Sequence, residues 1–364
     1  MKNEKILHLI GQLTRGGAER QLLHLAGALR ERGWKQTIIS FGGGDEWNKY
    51  CIQMGIPLYV IPRHPIKPWR LWKLVRVFQR EKPALIQTWS SHLAEYTRLA
   101  WGKGQAKVIF GVREDFTIDR ATGEPRDKMP RLRGLEGADF AIGNSQKVFD
   151  NLARRGVRLP PHEVIGNIVY ASGRARPGEA VSVPRIVSIG ALRRLKAYDI
   201  LLQAAAILAK TGEKFEVLLI GKGPEQAYLE KLCGELQLRD RVHFLGARDD
   251  VPDILAGAHI LVHPSKSEGL SNTILEGMAA GLPVVSTWEA AEEIVEHERT
   301  GLLVSAGMPA PLAEALKRLL DNPSLRECYG QAALAFVREK FNENIITIRY
   351  EHVYQKLLEG RPIS

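Results

Sequence analysis

Short β-branched or apolar runs alternate with amphipathic helical patterns along almost the whole chain, which predicts an α/β protein whose parallel sheets are built from βαβ units. A length of 364 residues exceeds what one hydrophobic core usually serves and predicts two domains. Glycine-rich and charged segments recur directly after the strand runs, where open parallel sheets bind their ligands.

In the first half the strand candidates are KILHLI, QTIISF, LYVIP, ALIQTW, KVIFGV, FAIGNS and EVIGNI. In the second they are RIVSIG, FEVLLIG, VHFLG, ILVHPS, PVVS and GLLV, and helices fill the gaps. Glu19 to Arg30 reads as one helix, with Leu22, Leu23, Ala26 and Leu29 on a single stripe and Gly33 ending it. A second helix from about Pro68 turns Leu71, Leu74, Val75 and Phe78 inward. The stretch NIVYASGRARPGEAVSVP lacks an apolar period and is rich in Gly, Pro, Ala and Ser, as a linker would be. The expected organisation is a first domain over 1–170, a linker over 171–183 and a second domain over 184–340. A final helix within 341–364 is expected to pack back toward the first domain, although Ile345, Ile348, Tyr350, His352 and Tyr354 do not share one face.

Composition is that of an ordinary soluble globular protein, 45% apolar and 25% charged. Cys51, Cys233 and Cys328 lie far apart with no CxxC spacing, which fits a reducing cytoplasm. Ile6–Ile10 is too short for a signal-peptide core and no eighteen apolar residues run together, so no membrane span is expected. The net charge of +10 is uneven: residues 1–170 hold 28 Lys and Arg against 16 Asp and Glu, and the remainder 23 against 25. A basic half points to an anionic partner, whether nucleic acid, a membrane surface or a phosphorylated substrate, or to a plainly solvated face. The basic residues are not interleaved with a recognisable nucleic-acid module, so nucleic acid is set aside.

Four post-strand segments carry candidate chemistry. After KILHLI, Gly16 and Gly17 open a helix, and bare N–H groups there suit a phosphate or sugar oxygen as well as a plain turn. After RIVSIG, Arg193, Arg194 and Lys196 stand before a helix start, where a diphosphate would want cations. After FEVLLIG, Gly221-Lys222-Gly223 invites comparison with a dinucleotide fingerprint, but the third glycine position is Gln226 and the ribose-binding acid is missing. After ILVHPS, Glu268 precedes a helix from about Ser271 to Gly281, capped by Ser271 or Asn272, and Glu276 lies one turn beyond Asn272 on the same face. Amides near Gly269, Leu270 and Ser271 would face a phosphate, which outlines a nucleotide-sugar site.

The pair Glu268 and Glu276 resembles the E-x7-E signature of family-4 glycosyltransferases, retaining enzymes of GT-B architecture with two Rossmann-like domains facing across a cleft. The resemblance runs nearly end to end, through GGAERQLLHLAGALRERGW, AIGNSQKVFDNLARRGV, GALRRLKAYDILLQA, LLIGKGPE, VHFLG and TGLLV. It implies that Glu268 contacts the transferred sugar, Glu276 the ribose and Lys196 the diphosphate, with the base seated near Gly246, Ala247 and Arg248. Where relatives place an arginine this chain has Ala191, leaving Arg193 or Arg194 to supply the second cation; Ala197 replaces a glycine after the lysine. Arg113 takes the place of a frequent histidine near the donor sugar, and Gln87-Thr88-Trp89-Ser90-Ser91-His92 matches a subgroup pattern that adds His92. The hinge motif appears as Asn167-Ile168-Val169-Tyr170.

No Asp-x-Asp occurs, so no metal is expected and positive charge must come from protein. No cofactor is expected beyond the donor, a UDP-sugar. The acceptor is expected on the basic first domain, where Trp69, Arg70, Trp72, Lys73 and Arg76 crowd one helix and suit an anionic membrane surface or an ordinary packed surface equally. A loop from about Thr117 to Arg133 adds Arg120, Arg126, Lys128, Arg131 and Arg133 as an anionic-acceptor clamp. The expected function is hexose transfer from a nucleotide sugar to a lipid-linked or polysaccharide acceptor, in the cytoplasm or peripherally on the inner face of the plasma membrane. A soluble acceptor and a nucleotide-sugar epimerase are the alternatives.

Overall fold

The computed structural model describes residues 4–13, 16–42, 45–62, 67–89, 93–101, 106–119, 122, 124–126, 132–170 and 183–361. All thirteen strand runs form strands, with ends that match or shift by a few residues. The first sheet holds β1 (Lys5–Ile10), β2 (Lys35–Ser40), β3 (Leu58–Val60), β4 (Leu85–Thr88), β5 (Lys107–Val112), β6 (Phe140–Gly143) and β7 (His162–Val164), in the order β3-β2-β1-β4-β5-β6-β7. The second holds β8 (Arg185–Ile189), β9 (Glu216–Ile220), β10 (Val242–Gly246), β11 (Ile260–His263), β12 (Val284–Thr287) and β13 (Gly301–Val304), in the order β10-β9-β8-β11-β12-β13. Every pairing between these strands is parallel. β4, β6, β11 and β12 are wholly buried; β6 is apolar throughout, while β4, β11 and β12 begin apolar and end in the buried polar residues Gln87 and Thr88, His263, and Ser286 and Thr287.

The progression of strand order across each sheet reverses at one place, between β1 and β4 in the first and between β8 and β11 in the second. Loops leaving such neighbours turn to opposite faces and open a crevice at the strands' carboxyl ends. In the second sheet those two loops carry Lys196 and Glu268.

Two compact units divide the chain. One comprises Met1–Thr117, Lys128–Ile168 and Glu343–Ser364, and the other Ile118–Asp127 and Val169–Asn342. The first unit thus takes the last helix, Glu343–Glu359, whose buried positions Ile346, Thr347, Tyr350, Glu351, Val353, Tyr354 and Leu357 form one stripe. The sequence pattern hid this stripe because two of its members are polar, while Ile345 and Ile348 are exposed. The Glu351 carboxylate accepts from Trp34 Nε1 at 2.7 Å and Arg32 Nη1 at 2.9 Å, and the Tyr354 hydroxyl bonds to Gln87. Tyr354 also meets Trp34 edge to face. The helix is therefore bolted on by a buried carboxylate as much as by apolar contact.

His8, on β1, is a core histidine: Trp89 Nε1 donates to its Nδ1 at 3.3 Å, so Nε2–H faces Gln36 Oε1 at 3.2 Å. Burial lowers its pKa to about 4.

Removing the Glu351 carboxylate leaves the Trp34 N–H buried without an acceptor, a loss of about 2 kcal/mol. Glu351→Ala should therefore lower the urea midpoint of the first unit by a corresponding amount. A midpoint unchanged to within about 0.5 kcal/mol would show that the helix is not held through this residue.

Candidate active site

β11 delivers a fully buried His263 to the carboxyl edge of the second sheet. The following loop is pinned on both sides. Ser265 Oγ donates to Leu195 O at 3.0 Å, Lys266 N donates to the same oxygen at 2.9 Å, and Thr287 Oγ1 donates to Ser265 O at 2.6 Å. Ser286 Oγ holds His263 O at 2.7 Å. The loop presenting Glu268 is thus fastened to the short 3₁₀ turn Arg194–Lys196 and to β12. Ala197 ends that turn at φ 51°, ψ 42°, a left-handed conformation that glycine adopts at less cost.

Gly221 and Gly223 serve the same scaffold. A Cβ on Gly221, whose φ is 142°, would stand 1.9 Å from Gly190 O, and one on Gly223 would stand 2.3 Å from Leu192 O. Leu192 N donates to Lys222 O at 3.2 Å and Glu225 N to Leu192 O at 3.0 Å. These glycines let the loops after β8 and β9 interlock. Their spacing, which resembles a dinucleotide fingerprint, is a packing requirement.

At the centre, the Lys196 ammonium contacts Glu268 Oε1 directly and His263 Nε2 lies 3.0 Å from the same oxygen. Burial pushes the Glu268 carboxyl up, but the adjacent ammonium and the imidazole hydrogen bond outweigh it and hold the group well below the usual carboxylate range. His263 is lowered by burial and by Lys196, against the pull of Glu268. It is therefore neutral at physiological pH, and because an ionised carboxylate only accepts, Nε2 carries the hydrogen and donates. Burial likewise pushes the Tyr198 phenol up, with the Glu268 charge adding to the shift. The arrangement is a fixed anion beside a cation, at the crevice of a parallel sheet, able to hold a sugar hydroxyl and a phosphate side by side.

Of the other residues singled out on this unit, Ser271 is the N-cap of the helix Asn272–Ala279, but its side chain makes no capping bond; its hydroxyl lies 3.4 Å from His263 Nε2. Gly269 and Leu270 lead into that helix, and Glu276 lies within it, half-buried. Arg194 lies 3.5 Å from Glu225, while Arg193 is exposed. Gly246 takes a left-handed φ of 67°, and Arg248 binds Asp250 through Nε and Nη2 at 2.7 and 2.5 Å.

On the first unit, Gly16 is the N-cap of the helix Gly17–Glu31, which starts two residues before the expected Glu19. The Glu19 carboxylate folds over it: a Cβ on Gly16 would stand 2.1 Å from Glu19 Oε2, so in this structure an acid already lies at that turn. Arg113 stacks on Trp89, 4.5 Å from the ring centre, and donates to Asn167 Oδ1 at 3.2 Å and to the Tyr350 hydroxyl. It ties the end of β5 to the stretch just before Val169 and to the last helix, a structural engagement the sequence did not reveal. Trp69 packs against the core of the unit, whereas Trp72 is 49% exposed with Lys73 and Arg76 over its ring at 5.6 and 4.8 Å. His92 lies outside the described residues, as do Arg120, Lys128 and Arg131 of the expected clamp. Arg126 of that clamp falls instead in the second unit, where it pairs with Asp119 at 3.4 Å and Glu124 pairs with Lys266 at 2.8 Å.

The sequence reading missed His263. Its only signal was a polar residue closing a buried strand five positions before Glu268. Among the described residues no group of three His, Cys, Asp or Glu stands arranged to hold a metal ion, and no helix is long and apolar enough to cross a membrane.

Residues 15–172 match the description Glycosyltransferase Family 4, and residues 183–322 match Glycosyl transferases group 1. The lipopolysaccharide core biosynthesis glycosyltransferase LpsD of Rhizobium meliloti (strain 1021) is 29% identical over 97% of this chain and 98% of its own. An uncharacterized glycosyltransferase of Haemophilus influenzae is 32% identical over 85% of this chain and 88% of its own. Among solved structures, Anabaena HepE in complex with UDP-glucose aligns with a TM-score of 0.83 at 23% identity, covering 97% of this chain and 99% of its own. The chain belongs to this glycosyltransferase family, and its two sheets are the two Rossmann-like domains of the GT-B class.

The signs of the two shifts at the site give one pH dependence. A histidine held below its ordinary 6.5 in the fold is protonated first in the unfolded chain, so stability falls as pH drops below 6.5. The depressed Glu268 carboxyl contributes stability that is present above 4.5 and lost on further acidification. Urea midpoints should decline from pH 7 to 5, and His263→Gln should flatten that slope, leaving the share from His8 and His24, both lowered to about 4. An equal slope in the variant would contradict a neutral buried His263.

Proposed function

We propose that the protein is a retaining, metal-independent hexosyltransferase that moves a hexose from a UDP-sugar to a lipid-linked or polysaccharide acceptor in cell-envelope glycan synthesis. The observation that carries this reading is the Lys196–Glu268–His263 cluster at the β8/β11 crevice. Support for the donor comes from the UDP-glucose bound to the HepE relative, and support for the acceptor class from the lipopolysaccharide core role in the name of LpsD.

In this reading Glu268 accepts from a hydroxyl of the transferred sugar and Glu276 from the ribose. The bond from the anomeric carbon to the β-phosphate oxygen breaks while the acceptor oxygen bonds to the same face of that carbon. The acceptor's proton passes to the departing phosphate. Charge growing on that phosphate draws the Lys196 ammonium, which shares itself between the phosphate and Glu268, and Arg193 is the exposed cation beside it. A protein cation thereby takes the role a metal would otherwise fill. Trp72, exposed between Lys73 and Arg76, supports the reading that the protein binds peripherally to an anionic membrane, with the reaction on the inner face of the plasma membrane as part of this proposal.

Losing one well-placed donor to the developing charge costs about 3 to 4 kcal/mol. Lys196→Ala should therefore reduce turnover by roughly two to three powers of ten. The assay is release of UDP from UDP-hexose with and without an acceptor, alongside thermal shifts with UDP, GDP and ADP. UDP release that ignores the acceptor, or no thermal shift with any of the three, would sink the proposal; an inverted anomeric centre in the product would remove the retaining step.

A further inference from the structure

Arg70 sits in the first turns of the helix Lys67–Glu81, with its guanidinium carbon 4.8 Å from the centre of the Phe41 ring. Phe41 follows β2 and is buried, and Leu13, beyond β1, donates its N–H to Gly42 O at 3.0 Å. The guanidinium thus lies at the carboxyl edge of the first sheet, the edge at which parallel sheets take ligands.

Its Nε and Nη2 are both buried, and among the described residues neither meets a hydrogen-bond acceptor. These two nitrogens form one edge of the guanidinium, with parallel N–H groups that fit the two oxygens of a carboxylate or phosphate. Arg248 shows the match within the same chain, since its Nε and Nη2 hold the two carboxylate oxygens of Asp250. Around Arg70 the helix is cationic, with Lys73, Arg76 and Arg80, and its first turn holds no acidic residue. Glu81, at its far end, is engaged by Lys5, Thr37 and Tyr59. Burying a charged donor edge without an acceptor costs free energy, which an arriving anion recovers.

We infer that Arg70, seated on Phe41, binds the phosphate or carboxylate of an anionic saccharide acceptor through its Nε/Nη2 fork. The anion site stands on this geometry alone; its assignment to the acceptor rests on the transferase reading above.

The test is NMR of the arginine Nε–Hε signals in the full chain, titrated with glucose 6-phosphate, glucuronate and glucose. One of the two anionic sugars should move the Arg70 signal saturably and bind at least tenfold more tightly than glucose. Preference for the former assigns a phosphate, and preference for the latter a carboxylate. Arg70→Gln should weaken that binding tenfold or more with the UDP thermal shift intact, and Arg70→Lys, which keeps the charge and loses the fork, should fall between. No response to either anion, an equal response to glucose, or an equal loss in Arg76→Gln overturns the site. Displacement of the anionic sugar by UDP would overturn the acceptor assignment. An intact Arg70 response with no UDP shift in the wild type would remove the transferase reading and leave the anion site standing.

Discussion

A half-buried carboxylate set against an ammonium and a buried imidazole governs the second domain. Taking Glu268 and Lys196 out of water is expensive, and their mutual attraction offsets it only while every partner stays in place. Stability alone does not call for such a pair, since apolar residues of similar volume would serve as well. The pair instead fixes a carboxylate against an ammonium at the β8/β11 crevice, with the two side chains still 18% and 20% exposed. His263 contributes by remaining neutral and donating, which commits Glu268 Oε1 inside the protein.

The surrounding architecture exists to keep that geometry. Leu195 O receives two hydrogen bonds from the Glu268 loop, β12 supplies two hydroxyls to the backbone between His263 and Ser265, and the glycines after β9 let the neighbouring loop close against the turn carrying Lys196. Each contact joins segments distant in sequence, so the positions of the cation and the carboxylate are set by one interlocked strand edge.

The first domain solves a different problem with similar means. Its last helix arrives from the far end of the chain and is held by polar groups: Glu351 on Trp34 and Arg32, Tyr354 on Gln87, Tyr350 on Arg113. Arg113 joins that helix to Asn167, one residue before the chain's last position in this unit ahead of the second. The contrast with Arg70 is instructive, because Arg113 has donors committed to protein acceptors while the Nε/Nη2 edge of Arg70 has none among the described residues.

Much of this was written in the sequence. Alternation of apolar runs with helical stripes located all thirteen strands, because burial selects mostly apolar residues along a strand whatever its neighbours are. The spacing of Glu268, Glu276 and Lys196 relative to strand ends marked the candidate site for the same reason, since short loops after parallel strands have few places to go. Tertiary structure decided the rest. The partnership of Lys196 with His263 on one carboxylate oxygen, the polar stripe that docks the final helix, the packing role of the Gly221-Lys222-Gly223 turn and the commitment of Arg113 all depend on segments far apart in the chain. Hydrogen bonds and charges act over a few ångströms of space, and a linear pattern carries no record of which distant groups the fold will bring that close.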